Sequence, residues 1–240
     1  MSDLIMPMSP RVKKTSFKGS PQYNLSVMKY LKNKYKNACV IIPNVNSRKI
    51  SHLDVSLRWV QKNEKDGHFS IPKNYWSYFS KCKNVRFIVF PFGFSCSNFM
   101  GHANYMIYDR QNKSLERFEP YGKSFKSCSN PINIDNKIKK LFNDNLGNFV
   151  EKYYKPLDFL NTRSFQRIQE DEGEMEDKKD PPGGYCAIWS CWYAELRLSN
   201  PDKNRSYVVR NALKKLKDND LSFTEYIRNY TENIVRNCKN

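Results

Sequence analysis

Histidine and acidic side chains are scarce in this sequence: three histidines in 240 residues, and 24 Asp and Glu against 41 Lys and Arg. His52, His68 and His102 stand at no short spacing from one another or from a cysteine, so no zinc site is expected, and no cofactor motif is found. Long apolar runs are missing too. No stretch approaches the roughly 18 consecutive apolar residues that a membrane span requires. Residues 1–18 carry Pro7 and Pro10 and then Lys and Arg, where a secretion signal would have a basic cap followed by an apolar run. A cytosol-like compartment is the expectation. The seven cysteines, at 39, 82, 96, 128, 186, 191 and 238, are odd in number and scattered, and are read as thiols. There is no internal repeat.

The charge balance of +17 suits a polyanionic contact, such as nucleic acid or an acidic protein surface, but a plain solvated surface in Lys- and Asn-rich stretches is the stronger reading of it. Hydrophobic residues at 39% and aromatics at 14% suffice for one well-buried domain with an extra segment. Residues 1–22, rich in Pro and basic side chains, read as a flexible or loosely docked arm. Residues 23–84 read as a helical and mixed extension, and 85–240 as a catalytic core with C-terminal helices.

Within the core, Val85–Pro91 is β-branched and aromatic and reads as a central strand ending at the proline. His102–Tyr108, the polar loop Asp109–Asn112 and Lys113–Pro120 read as a hairpin. A symmetric loop pairs residues whose numbers sum to 221, which sets His102 opposite Glu119. Directly opposed Cβ atoms lie about 4.5–5.5 Å apart, close enough for an imidazole–carboxylate bond. Residues 131–155 read as helical, and Glu170–Asp180 as a mobile charged loop. Pro181-Pro182-Gly183-Gly184 then breaks the chain sharply, and Cys186–Leu198 is apolar on nearly every side, as a buried central helix would be.

Cys186 therefore opens a helix directly after two glycines. Unpaired N–H groups and the helix dipole favour an anion there and lower a thiol pKa. Gly183 and Gly184 leave room for a substrate chain, and the Cys186 N–H can serve an oxyanion. A second donor is sought in Gln166 or Gln169. Spacing does not separate them, but Gln166 is preferred because it lies between Phe165 and Ile168 in a short apolar anchor. Cys191 gets a structural reading, the other cysteines are bystanders, and His52 and His68 are surface residues.

The order His, acid, Gln, Cys resembles that of the adenovirus maturation protease and the SUMO-specific proteases, above all in His102 followed by Phe118-Glu119-Pro120-Tyr121-Gly122. The resemblance covers roughly residues 85–200. The stretch Gly-Gly-Tyr-Cys-Ala-Ile-Trp-Ser also resembles proteins of large DNA viruses. In that family His102, Glu119 and Cys186 match the catalytic triad and Gln166 the oxyanion glutamine. The chain departs from the pattern at Ala103, where the family often has Trp, and in the distance from Gln166 to Cys186, which an insertion at 170–180 accounts for. The resemblance implies an α+β, papain-like core with a mixed sheet packed on the helix that starts at the cysteine. It also implies a thiol peptidase cleaving after small residues of the Gly-Gly or Gly-Ala type. Its expected partners are viral precursors or ubiquitin-like conjugates, with DNA contact through the basic surface, and its expected place is the host cytoplasm or the virion. An acyltransferase on the same core and a non-catalytic nucleic-acid-binding protein are the alternatives.

Overall fold

The computed structural model describes residues 4–7, 21–42, 56–61, 67–96, 99–122, 131–173, 185–219 and 221–237. Its spine is an antiparallel pair, β4 (Phe87–Cys96) and β5 (Phe99–Asp109), in a mixed seven-stranded sheet. On one side of β4 lie β1 (Ala38–Val40) and β2 (Leu57–Gln61), both parallel to it, with β3 (Gly67–Ser70) antiparallel outside β2. Beyond β5 come β6 (Ser114–Phe118), antiparallel, and β7 (Lys152–Tyr154), parallel to β6. The segment 23–84 and the core thus share one sheet.

β4 runs through Pro91 to Cys96, beyond the end read from the sequence. Proline breaks a ladder only where its missing N–H is needed. The Val89 carbonyl accepts from Ile41 N at 2.8 Å, so Val89, and Pro91 two residues on, turn their backbone polar groups to the β1–β2 side. There β1 pairs with Phe87–Val89 and β2 with Phe92–Cys96, which leaves Pro91 in the gap between them.

The β5–β6 hairpin also corrects the expected register. Asp109 faces Ser114 and Tyr105 faces Phe118, so paired numbers sum to 223 and the loop is Arg110–Lys113. Asp109 stays in the strand because its carboxylate accepts from Gln111 N and Asn112 Nδ2, and Lys113 closes the turn at φ 43°. A shift of two leaves every side chain on its expected face.

Residues alternate between two cores. One face of the sheet presents Phe87, Val89, Tyr105, Ile107 and Phe118 to α1 (Pro21–Lys34), α6 (Tyr185–Ser199), α7 (Arg205–Lys217) and α8 (Phe223–Asn237). The other presents Ile88, Phe90, Phe92, Met106 and Tyr108 to α2 (Tyr75–Lys81) and α3 (Pro131–Leu146). The expected mixed sheet packed on a central helix is the architecture found: α6 is buried on all sides, and its Tyr193 ring stacks on Phe118 at 4.0 Å. The short α4 (Pro156–Phe159) and α5 (Phe165–Gly173) complete the chain. Glu170–Gly173, expected in a loop, belongs to α5, while the expectation for 174–180 lies outside the described residues.

Leu4 and Pro7 are buried, and the Asn200 side chain both accepts from Ile5 N at 3.0 Å and donates to Ile5 O at 2.7 Å. Cys39 and Cys82 are joined as a disulfide rather than standing as thiols: β1 and the end of α2 bring their Cα atoms to 5.6 Å. Cys128 and Cys238 lie outside the described residues.

Candidate active site

His102, near the start of β5, and Glu119, just past β6, are both buried, and His102 Nε2 lies 2.6 Å from Glu119 Oε1. One residue past the last ladder pair, Tyr105 with Phe118, Asn104 lies beside Glu119, and its Nδ2 donates to Glu119 Oε2 at 3.1 Å. His102 projects from the same face two residues away, so the imidazole meets the carboxylate diagonally. Tyr121 N donates to Glu119 Oε1 at 3.1 Å, and the Tyr121 ring lies 5.4 Å from His102. On its other side the imidazole stacks on Phe94 at 6.1 Å.

Behind Glu119 runs a buried polar chain. Arg117 Nη1 donates to Asn104 Oδ1 at 2.8 Å, while Nε and Nη2 grip both Asp135 oxygens of α3 at 2.9 and 3.0 Å. Each group that orients His102 is thereby oriented itself.

Cys186 is the second residue of α6, partly exposed, whereas Cys191 further along is buried. The thiol bonds to the His102 ring, and the Ala103 backbone amide also bonds to the sulfur. With Nε2 turned to Glu119, Nδ1 is the nitrogen left for Cys186. Burial by itself favours neutral imidazole and neutral thiol, and their neighbours reverse this. The Glu119 charge and the bond to Cys186 push His102 up to about 10. The bond to His102 and its charge bring the Cys186 thiol below its ordinary value. A thiolate–imidazolium pair is the state so favoured. Cys191 moves the opposite way, up to about 12, because burial dominates there.

Gln166 is carried to the site by a close approach of chain. Its backbone N donates to Pro120 O at 3.0 Å, and Gly122, at φ 77°, lies where a Cβ would come within 2.4 Å of Asn161 O. Gln166 Nε2 donates to Tyr121 Oη at 3.0 Å and Glu170 Oε1 at 3.3 Å, while its buried Oε1 has no partner among the described residues. Gln169 accepts from Trp189 Nε1 at 2.9 Å, which ties it to the middle of α6. Gly183 and Gly184 lie outside the described residues, as does His52. His68 is exposed on β3, away from this cluster. Three nearby residues went unremarked in the sequence: Asn104, which alternation from His102 places on the same face; Tyr121, inside the quoted motif; and Arg58, for which no local signal exists.

No family model matches the chain. An ankyrin repeat protein of Acanthamoeba polyphaga mimivirus is 32% identical over 157 residues, covering 62% of this chain and 20% of that protein. The chain thus spans about a fifth of the length of the relative it matches. Among solved structures, the Chlamydia trachomatis effector Cdu1 bound to ubiquitin superposes with a TM-score of 0.48 at 9% identity, over 94% of each chain. The C-terminal Ulp1 protease domain, in complex with the yeast orthologue of SUMO, gives 0.39 at 14% identity, over 90% of this chain and 77% of that one.

Proposed function

We propose that this chain is a cysteine peptidase hydrolysing peptide or isopeptide bonds after small residues, with Cys186 as nucleophile, His102 as base and Glu119 as the carboxylate that orients it. The observation that carries this is the buried 2.6 Å His102–Glu119 bond, with the same imidazole bonded to a partly exposed cysteine at a helix start. The Cys186 proton passes to His102 and the sulfur attacks the carbonyl carbon, pushing an electron pair onto the oxygen. The pair returns as the C–N bond breaks, and His102 gives its proton to the leaving amine. Water, deprotonated by the same ring, then cleaves the thioester to a carboxylic acid and the thiol. Glu119 holds the ring in place throughout and stabilises it each time it carries the extra proton.

The Cys186 N–H and Gln166 are the proposed oxyanion donors. Gln166 must exchange its bonds to Tyr121 and Glu170 for one to substrate, so Gln166→Ala should lower kcat by about 10²-fold. An equal loss in Gln169→Ala alone would move the role to that residue. The proposed substrates are proteins, either ubiquitin-like conjugates or viral precursors. The mimivirus relative supports a viral setting, and the +17 charge supports travel on DNA.

The test is labelling by ubiquitin- and SUMO-type probes with a C-terminal electrophile, beside a plain alkylator, with the modified cysteine mapped by mass spectrometry. Modification of Cys186 that His102→Ala abolishes supports the peptidase, and the reacting probe identifies the conjugate class. Reaction with the alkylator alone points to precursors. Indiscriminate labelling of all free cysteines would refute the reading.

A further inference from the structure

The row of residues beside Cys186 has almost no side chains. Arg58 on β2 faces Gly93 on β4, which faces Ala103 on β5, the residue whose amide reaches the Cys186 sulfur. Alternation from Val89 and Tyr105 puts this row on the face that α6 covers. Only Arg58 extends beyond Cβ, and its guanidinium lies over the glycine floor. A Cβ on Gly93 would stand 3.1 Å from its Cζ and Nη1, and one on Gly101 3.0 Å from its Nη2.

Arg58 is 6% exposed, and among the described residues its guanidinium bonds only through Nη2, to Phe94 O at 2.9 Å and Ser95 Oγ at 3.0 Å. Its buried Nε has no partner among the described residues. The other two buried arginines among the described residues are matched by carboxylates, Arg117 by Asp135 and Arg197 by Glu116. Arg58 has no such match among the described residues. Burying a cation without an anion is costly, and a conformation that retains one leaves it aimed at charge supplied from elsewhere.

We propose that Arg58 supplies the positive field of this site, holding negative charge on the Cys186 sulfur at rest and on the substrate oxygen during attack. The inference rests on Cys186 being the nucleophile. Electrostatics agree with the geometry: burial pulls the Arg58 pKa down, and the charge acting against that is Cys186. The other ionisable groups facing Cys186 are His102, Glu119 and Tyr121. Of the four, Arg58 alone is a cation that no base or carboxylate among the described residues shares. It carries no proton in the reaction and forms no covalent bond.

The experiment is the pH dependence of Cys186 carbamidomethylation by iodoacetamide in the full chain, compared across Arg58→Gln, Arg58→Lys and His102→Ala. Gln keeps a donor for the Phe94 carbonyl without charge, and Lys keeps the charge without the fork. The expected result is a midpoint about one unit higher in Arg58→Gln and near the parent value in Arg58→Lys. An unshifted midpoint in Arg58→Gln, or an equal rise in both variants, would overturn the assignment, because shape and not charge would then be the contribution. If the parent Cys186 shows no His102-dependent reactivity, the peptidase reading itself fails, and that outcome is separate from a failure at Arg58.

Discussion

Glu119, His102 and Cys186 act on one another's protonation, and the direction of each effect is fixed by what touches it. Glu119 raises His102 and His102 lowers Cys186, so the reactive pair exists above the thiol's lowered pKa and below the ring's raised one, about 10. Rate against pH should therefore rise on an acid limb below the ordinary thiol value of 9.0 and fall on an alkaline limb near 10. Glu119→Gln removes the charge that holds the ring's proton. Its alkaline limb should move to lower pH and its kcat fall by about 10²-fold or more, read from initial rates across pH. An unmoved alkaline limb would exclude Glu119 as the orienting group. The His–Glu pair was legible in the sequence even though the assumed loop was one residue early. The period of two in a strand forgives a register error of two, so the diagonal partner stood in for the direct one. Asn104 and Arg58 were not legible in the same way, because a buried polar group declares itself only through the partners that surround it.

At the scale of elements, β6 and α3 meet through a buried ion pair that continues into the site. Arg117→Met would leave Asp135 with Tyr153 Oη as its remaining partner and remove the bond that orients Asn104. A loss of about 3–5 kcal/mol in urea unfolding is expected. The double variant with Asp135→Asn should recover part of that loss, since no uncompensated charge remains buried. An effect under about 1 kcal/mol would mean the pair contributes little. The apolar girth of α6 was plain in the sequence, because a helix buried on every side shows no polar stripe. The passage of β4 through Pro91 was not, since it depends on a gap between two partner strands that come from distant parts of the chain.

Over the whole molecule, parallel pairing of β1 and β2 with β4 joins the first third of the chain to the β4–β5 pair that carries His102. Parallel pairs have no hairpin to signal them, which is why residues 23–84 read as an extension and why Cys39 and Cys82, 43 residues apart, gave no hint of their bond. The N-terminal residues are a second long-range tie. Leu4 is buried, Asn200 holds Ile5 at both backbone atoms, and Tyr226 donates to Pro7 O at 2.6 Å. Deleting residues 1–7 should lower the thermal midpoint and cost about 2–4 kcal/mol, mostly from uncovering apolar surface on α6 to α8. It should leave Cys186 reactivity in the folded fraction unchanged. All of this architecture serves one claim, that the sheet and α6 bring a histidine and a cysteine together as an ion pair. The most direct measurement of that claim is peptide-mapped iodoacetamide labelling of the intact chain near pH 6, with and without His102→Ala. The account predicts that Cys186 reacts well ahead of the buried Cys191 and that the advantage disappears in the variant. Labelling of Cys186 at the same rate with and without His102 would contradict it.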